Sequence, residues 1–350
     1  MVTMVHRIAI DKALGAAARR VQPLGCYPTP VQKVPSLSTP RTEIWLKRDD
    51  LTHPVYGGSK VRKLERLLPA AVARGAARVV TIGAAGSHHV LATAYFGREA
   101  GLEVEAVLFP QPATDHVVEV LRAGVGLGLR AFPVASVALA PFAVVERIAE
   151  GARLVPPGGS SVEGALAYVD AARELAAQVR RGELPEPDWC VTALGSGGTA
   201  AGLAAGFAAE GLKTRVVAVC VLTPIWLASF VVFALARACA RRIGRAPAIA
   251  KRPPLVVDRR FVGGGYGYAT TEGAEASRRA ESDAGIVLDP TYTAKAFACA
   301  LGLRGAPLEG TVLYWHTLSS ARMSALLEGA PNESALDPSL KRLLARGARR

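Results

Sequence analysis

The chain has few cysteines, and their arrangement does not indicate a metal or redox site. The five cysteines, Cys26, Cys190, Cys220, Cys239 and Cys299, are scattered over 350 residues without the short spacings of such motifs. Several lie in apolar runs, which predicts buried, reduced thiols and a cytoplasmic location. The first residues also lack the apolar segment and cleavage site of a secretory signal peptide. We expect a cytoplasmic protein without a metal.

A membrane span is not predicted, although one apolar run is long enough to form one. The run at 216–240 contains a single charged residue, Arg237. Thr223-Pro224 interrupts this run, and such a pair is typical of a helix N-terminus. We therefore predict a buried strand followed by an apolar helix at about 225–242. A helix of this kind is either central or at a subunit contact.

The basic surplus is not arranged as in a nucleic-acid-binding protein. Lys and Arg number 42 against 29 Asp and Glu, a formal net charge of +13, but most are spread along predicted helices. The one dense cluster, Arg237, Arg241, Arg242 and Arg245, has no interleaved aromatic residues. A groove-binding protein concentrates its charge on one face. We expect no nucleic-acid partner, and the surplus predicts solubility and attraction of anionic substrates.

Short β-branched runs alternate with alanine-rich helical stretches, a pattern that predicts an α/β fold. The pattern indicates open, largely parallel sheets flanked by helices, and the length suits two domains. The break at Pro156-Pro157-Gly158-Gly159 is a plausible domain crossing. We predict a large domain from residues 1–60 and 165–350 and a small domain from residues 61–164. The predicted strands are 43–47, 78–82, 103–108, 189–193 and 215–221, and the predicted helices are 60–74, 88–100, 117–123, 161–180 and 199–210.

A run of small residues, Gly195-Ser196-Gly197-Gly198-Thr199, follows a predicted buried strand and opens a predicted helix. Backbone N–H groups at a helix start bind phosphate. With Ala200 the run also fits the Gly-x-Gly-x-x-Ala fingerprint of dinucleotide sites, which needs an acid at the end of the next strand. That strand is instead followed by Leu222-Thr223, and no Walker lysine is present. A single phosphate group therefore fits better.

Lys60 is the first long basic residue after the glycine turn Gly57-Gly58-Ser59. An amine in this place can form a Schiff base with an aldehyde cofactor. The alternative is one more solvated charge on a helix that carries several others. The preceding Arg48-Asp49-Asp50 and the glycine turn favour a side chain directed into a cleft. Pyridoxal phosphate contains both an aldehyde and a phosphate, so the two motifs together predict this cofactor.

Other candidate residues lie in turns after predicted strands. Gly83–His89 forms a second helix N-terminus that can bind an anion, such as a substrate carboxylate. Within it, His88 and His89 point about 100° apart on a helix and do not suit one metal. Tyr266 and Tyr292 lie in turn-rich loops, where packing is the simpler role.

The ordered motifs resemble those of the D-cysteine desulfhydrase and 1-aminocyclopropane-1-carboxylate deaminase family. This family belongs to the tryptophan-synthase-β-like, fold type II, pyridoxal-phosphate enzymes. The resemblance extends from about Pro28 to Thr317. It rests on residues 45–51, 57–65, 195–199, 265–267, 271–273 and 288–296.

The resemblance implies a role for each candidate residue. Lys60 forms the Schiff base, while Gly195, Ser196, Gly197, Gly198 and Thr199 hold the phosphate. Ser87 binds the substrate carboxylate or relays a proton, with His89 and Thr317 as further substrate contacts. Tyr292 stands over or beside the cofactor ring, Tyr266 lies near the substrate, and Thr293 faces the pyridine nitrogen.

Two positions depart from the family pattern. His88 stands where the family usually has an Asn that contacts the cofactor's ring oxygen, so we expect His88 to make that contact. After His316-Thr317, the residues Leu318-Ser319-Ser320 replace a Gly-Gly pair. Both changes affect the pocket in which the substrate is bound.

The expected reaction is α,β-elimination from a small amino acid, giving a 2-oxo acid and ammonia. The deaminase branch has Glu and Leu at the positions of Thr293 and Thr317, and a hydroxyl supports electron withdrawal less well than a carboxylate. A D-cysteine desulfhydrase-like enzyme is therefore favoured. The alternatives are a ring-opening deaminase, a β-replacement synthase and a non-catalytic cofactor-binding protein. We also expect a homodimer.

Overall fold

The computed structural model describes residues 24–244, 253–319 and 321–347. The strands are β1 Val31–Lys33, β2 Thr42–Arg48, β3 Arg78–Ala84, β4 Glu103–Phe109, β5 Arg130–Pro133, β6 Arg153–Leu154, β7 Trp189–Leu194, β8 Arg215–Cys220, β9 Leu255–Asp258 and β10 Gly310–His316. The α-helices are α1 Ser59–Ala73, α2 His88–Glu99, α3 Asp115–Gly126, α4 Ala140–Ala149, α5 Val162–Arg180, α6 Gly198–Glu210, α7 Ile225–Arg242, α8 Thr271–Ala284, α9 Thr293–Ala300, α10 Met323–Leu326 and α11 Pro338–Gly347. The α/β class and every predicted strand and helix are confirmed.

The chain divides into two compact units. The larger unit comprises Cys26–Lys63 and the segment that begins at Gly158 and ends at 319 among the described residues. The smaller unit comprises Leu64–Pro157 and the described residues after 320, together with 24–25. One boundary therefore falls between Pro157 and Gly158, within the predicted crossing.

The larger unit contains a six-stranded sheet in the order β1-β2-β10-β7-β8-β9. All neighbours are parallel except β1, which pairs antiparallel with β2. Alternate residues of the central strands enter two cores, one against helices α5, α6 and α7 and the other against α8 and α9. Burial on both faces explains why these strands are continuous apolar runs. Helices cover both faces of the sheet, and β7 ends at Leu194, directly before the glycine-rich run at Gly195.

The smaller unit contains a parallel four-stranded sheet in the order β5-β4-β3-β6. Its C-terminal segment differs from the prediction, which placed all of 165–350 in the large domain. Arg122 Nε donates to the Pro331 carbonyl oxygen at 2.7 Å, and Gly347 packs against the Gln111 backbone. These contacts place residues 321–347 in the smaller unit. This assignment depends on contacts between residues far apart in the chain, so neither composition nor periodicity could predict it.

Helix α7 follows β8 after the Thr223-Pro224 break, as the sequence predicts. It buries Val232 and Ala236 in the core of the larger unit but leaves Trp226 and Phe230 each 68% exposed. Among the described residues, no helix combines the length and the hydropathy needed to cross a membrane.

Candidate active site

Lys60 stands in the first turn of α1, directly after a turn that requires glycine. Gly58 has a φ of +104°, and a Cβ there would lie 2.8 Å from the Leu318 carbonyl oxygen. The Gly58 N–H donates to the Asp49 carbonyl oxygen at 2.8 Å. These contacts fix the start of α1 and with it the origin of the Lys60 side chain.

The environment of the Lys60 amine differs from that of a solvated charge on a helix face. Its Nζ donates to Ser59 Oγ at 3.0 Å. Burial lowers the pKa of Lys60, while the carboxylate of Asp289 acts in the opposite direction. The lowered pKa enlarges the neutral fraction of the amine, which is the form that attacks an aldehyde.

A buried carboxylate, Asp49, anchors α1 from behind. Arg62 donates to it through Nε at 3.0 Å and through Nη2 at 2.8 Å. The Tyr168 hydroxyl and Trp315 Nε1 also donate to Asp49, at 3.0 and 2.7 Å. Arg62 pairs in addition with Glu174 at 2.9 Å. Because every donor comes from a different element, the cluster ties α1 to α5 and β10.

Helix α6 is drawn close to α5 by small residues. A Cβ at Gly202 would collide with the Ala165 carbonyl oxygen, and one at Gly206 would lie 2.5 Å from Ala172 Cβ. Glycine is unfavourable inside a helix, but at these two positions it allows the backbones of α5 and α6 to approach closely. This packing fixes the position of the α6 N-terminus.

The N-terminus of α6 has the features of a phosphate-binding site. Gly197, with φ +90°, precedes the helix and offers no capping side chain. The Gly198 N–H donates instead to Ser160 Oγ at 3.0 Å, and that hydroxyl lies 2.7 Å from Ser196 Oγ. The next N–H groups of a first helical turn lack intrahelical acceptors and attract an anion.

Lys63 adds an amine to this N-terminus, a role that the sequence analysis did not assign. Its Nζ donates to the Gly158 carbonyl oxygen at 3.0 Å and lies 3.1 Å from the position of a Cβ on Gly198. Burial, and secondarily the charge of Lys60, lowers the pKa of Lys63. The spacing of three residues from Lys60, which places both on one helix face, is the signal that could have identified it.

A methyl group at the α6 N-terminus should weaken cofactor binding. In Gly198→Ala the Cβ would lie 2.6 Å from Ser160 Oγ and 3.1 Å from Lys63 Nζ, so the phosphate-binding backbone must shift. We expect the Kd for pyridoxal phosphate to rise about tenfold or more, a cost of about 1.4 kcal/mol. Absorbance titration of the apoprotein measures this. In the control Gly124→Ala the added Cβ meets only the tip of Leu129, at 3.1 Å, and equal Kd values in the two variants would contradict the assignment.

Thr293 and Tyr292 stand at the start of α9, where Asp289 organises the backbone. Asp289 Oδ1 accepts from the Tyr292 N–H at 2.7 Å, and Oδ2 accepts from the Thr293 hydroxyl at 2.6 Å. The ring of Tyr292 lies against Gly195, where a Cβ would be 2.9 Å from its Cε1. The α9 start and the α6 N-terminus are thus in direct contact.

Tyr266 joins the same cluster through Tyr292 and Lys295. The two tyrosine rings meet edge to face with centroids 5.6 Å apart, and their hydroxyls are hydrogen-bonded. Buried Lys295 donates to the carbonyl oxygens of Val262 and Gly265 at 2.8 and 2.9 Å, which holds the glycine loop before Tyr266. Burial raises the pKa of both tyrosines, so both stay protonated at neutral pH.

The larger unit therefore brings together most of the predicted site residues. Thr317 belongs to it as well, since its carbonyl oxygen accepts from the Ser59 N–H at 3.2 Å. His316 is a buried core histidine; burial lowers its pKa to about 4. Ser160, Lys63, Asp289 and Lys295 are the site residues that the sequence analysis missed.

Ser87, His88 and His89 belong to the smaller unit. Ser87 caps α2 by accepting from the Val90 N–H at 3.4 Å. His88 Nε2 lies 2.9 Å from His116 Nε2, and the predicted contact of His88 with the cofactor stays a prediction. His89 is buried and its Nε2 lies 2.9 Å from Thr81 Oγ1, so this geometry favours a packing role over the predicted substrate contact.

The larger unit offers what pyridoxal phosphate requires. The partly buried amine of Lys60 suits the aldehyde. The glycine-rich start of α6, which has no capping side chain at Gly197, and the adjacent Lys63 side chain suit the phosphate. Within the described ranges, no group of three or more His, Cys, Asp or Glu side chains could hold a metal ion.

Comparisons with known proteins agree with this chemistry. The family described as "Pyridoxal-phosphate dependent enzyme" matches residues 23–317. Nocardicin C-9′ epimerase of Nocardia uniformis subsp. tsuyamanensis is 37% identical over 320 residues, 89% of this chain and 96% of that protein. D-cysteine desulfhydrase of Salmonella paratyphi A is 34% identical over 305 residues, 83% of this chain and 91% of that protein.

A solved structure of an ACC (1-aminocyclopropane-1-carboxylate) deaminase homologue has the same fold. It matches with a TM-score of 0.75 and 30% identity, covering 91% of this chain and 99% of its own. The resemblance predicted from the motifs is confirmed, as are the fold type and the cofactor. The chain is thus a pyridoxal-phosphate dependent enzyme of the group that contains the ACC deaminases and D-cysteine desulfhydrases.

Proposed function

We propose that this enzyme catalyses α,β-elimination from a small amino acid with a leaving group on Cβ, in the manner of a D-cysteine desulfhydrase. The observation that carries the proposal is Thr293 at the start of α9, where the ring-opening deaminases have a carboxylate. With D-cysteine, one water is consumed, the Cβ–S bond breaks, and pyruvate, ammonia and hydrogen sulfide are released.

Lys60 is the group that holds the cofactor and then moves the α-proton. When bound, pyridoxal phosphate supplies an electron sink for the pair left on Cα. The lowered pKa of Lys60 suits it to accept the α-proton at neutral pH. Lys63 and the α6 N-terminus hold the phosphate in place and so fix the distance of the reacting carbon from Lys60.

The tyrosine pair suits protonation of the leaving group. The hydroxyls of Tyr292 and Tyr266 are hydrogen-bonded to each other, and burial raises the pKa of both phenols. Phenols that stay protonated act as proton donors rather than as bases. In this proposal Tyr292 donates its hydroxyl hydrogen to Tyr266, and Tyr266 donates its own to the departing sulfur.

A second candidate is epimerisation at Cα, favoured by the identity to nocardicin C-9′ epimerase. In that reaction the α-proton is removed and a proton returns to the opposite face, with no bond broken at Cβ. The same Lys60 and tyrosine pair can serve as the two proton carriers. The two reactions therefore differ in the fate of the Cβ bond and not in the residues employed.

One experiment separates these reactions. The holoenzyme is incubated in D₂O with D-cysteine, β-chloro-D-alanine, D- and L-alanine and 1-aminocyclopropane-1-carboxylate. We expect pyruvate from the first two substrates and little 2-oxobutyrate from the last. The Lys60→Ala protein is the control for cofactor-only chemistry.

Three outcomes would overturn the proposed elimination. Appreciable 2-oxobutyrate in excess of pyruvate would establish the deaminase branch. Deuterium at Cα with inversion and no 2-oxo acid would establish an epimerase. A new amino acid formed only when a thiol is added would establish β-replacement.

The assembly and location remain part of the proposal. Trp226 and Phe230, exposed on α7, support a subunit contact and hence the expected homodimer. A cytoplasmic location and the absence of a nucleic-acid partner rest on the sequence analysis alone.

A further inference from the structure

The carboxylate of Asp289 accepts four hydrogen bonds at the start of α9. Oδ1 accepts from the N–H groups of Thr291 and Tyr292, at 3.0 and 2.7 Å. Oδ2 accepts from the Thr293 N–H at 3.1 Å and from the Thr293 hydroxyl at 2.6 Å. Both oxygens are thus committed within five consecutive residues.

These contacts also determine the hydrogen-bonding capacity left on Thr293. A hydroxyl has one hydrogen and two lone pairs. The Asp289 N–H donates to Thr293 Oγ1 at 2.7 Å, which uses one lone pair. The hydrogen can go to Asp289 Oδ2 at 2.6 Å or to the Asp289 carbonyl oxygen at 3.3 Å, and the shorter, charge-assisted bond is the stronger. Either way the hydrogen is engaged and one lone pair is left.

We propose that Asp289 is a positioning residue that makes Thr293 a hydrogen-bond acceptor only, so that the cofactor's pyridine nitrogen is bound in its protonated form. A hydroxyl without this partner could equally donate to a neutral ring nitrogen. The inference rests on the placement of Thr293 at the pyridine nitrogen and is independent of which substrate the enzyme uses.

The proposal adds a charged group to the expectation that a hydroxyl here supports electron withdrawal less well than a carboxylate. The carboxylate stands one hydroxyl behind the expected ring contact, and it accepts at 2.7 Å from the N–H of Tyr292, whose ring lies against Gly195. Its charge stabilises a proton on the ring nitrogen through the polarised Thr293 hydroxyl. Because a hydroxyl stands between the charge and the ring, this stabilisation is smaller than that from a carboxylate in direct contact, so the preference for elimination over ring opening is kept.

The variant Asp289→Asn reverses the direction of the hydrogen bond between Thr293 Oγ1 and the side chain of residue 289. An amide nitrogen at the Oδ1 position would face two backbone N–H groups, whereas at the Oδ2 position it faces one N–H and can donate to Thr293 Oγ1. The second orientation is therefore favoured. The Thr293 hydrogen then loses its strong acceptor and keeps only the longer contact to the carbonyl oxygen of residue 289, at 3.3 Å, so it can be donated to an unprotonated ring nitrogen.

The test is the ¹⁵N chemical shift of the ring nitrogen in enzyme reconstituted with ¹⁵N-labelled pyridoxal phosphate, recorded without substrate. We expect the protonated shift in the unchanged protein and in Thr293→Ser, which keeps the hydroxyl. Asp289→Asn should move the signal toward the unprotonated value. The control Asp337→Asn removes a similar carboxylate, bonded to the Ser339 N–H and hydroxyl in the smaller unit, and should leave the shift unchanged.

Thr293→Val keeps the Asp289 contacts to backbone N–H groups and removes only the hydroxyl, so it decides the case if Asp289→Asn does not fold. It too should lose the protonated signal. An unprotonated ring nitrogen in the unchanged protein, or a protonated one in Thr293→Val, would overturn the proposal. Because no substrate is present, failure of the proposed elimination leaves this readout unaffected.

Discussion

Lys60→Ala is expected to reduce turnover by about 10³-fold or more, the scale of losing a general base, while pyridoxal phosphate still binds. In the proposed mechanism the substitution removes both the covalent link and the group that carries the α-proton. The α6 N-terminus and Lys63 remain, and in the proposed site they hold the phosphate without Lys60. The loss should therefore appear in kcat rather than in cofactor occupancy.

The measurement pairs 2-oxo acid release with the cofactor content of the dialysed protein. Lys213→Ala, which alters an exposed lysine, is the matched control and should keep full turnover. Small primary amines added to Lys60→Ala should restore part of the activity. Full turnover in Lys60→Ala would remove Lys60 from the mechanism.

Asp49→Ala is expected to lower the free energy of unfolding by about 3–5 kcal/mol, the cost of breaking a buried ion pair from one side. Asp49 is fully buried and accepts hydrogen bonds from Arg62, Tyr168 and Trp315. Without the carboxylate these donors are buried without their acceptor, although Arg62 keeps Glu174. The structure should be disturbed most at the start of α1, and Asp49→Ala should therefore also weaken cofactor retention.

The control is Asp170→Ala, which removes an exposed pair with Arg173 and should cost at most about 1 kcal/mol. Burial alone would raise the pKa of Asp49, but Arg62 and the other donors hold it below its ordinary value of 3.8. The stabilisation is thus present above about pH 4 and is lost as the pH falls through the lowered pKa. Urea unfolding at pH 7 and pH 3 measures it, and equal midpoints for Asp49→Ala and Asp170→Ala at pH 7 would contradict the role.

The parts of the fold that the sequence predicted are those with local signals. The strand β7 and the helix α6 could be recognised because an apolar run ends in a glycine-rich turn. Helix α7 could be separated from a membrane span because Thr223-Pro224 breaks the run. The resemblance to a known family then assigned these elements to a fold type, which no local pattern could have done.

The parts that were missed depend on contacts between residues far apart in the chain. Ser160 caps α6 across 38 residues, and Lys63 contacts Gly158 across 95 residues, so no local pattern predicts either partner. For Lys63 the sequence offers only its three-residue spacing from Lys60, which places both lysines on one helix face. Asp289 had a local signal, since an Asp side chain in a turn commonly accepts a hydrogen bond from the backbone N–H two residues on. Its effect on Thr293 nevertheless depends on hydrogen-bond directions that only coordinates provide.

The attachment point of the cofactor is the most direct test of the site assigned here. The holoenzyme is reduced with borohydride, digested, and its pyridoxyl peptide is sequenced by mass spectrometry. Lys63 and Lys47 are both buried lysines of the same unit, and Lys63 also lies at the phosphate-binding N-terminus, so they are genuine alternatives. We expect the pyridoxyl group on Lys60; a label on Lys63 or Lys47 would contradict the assignment.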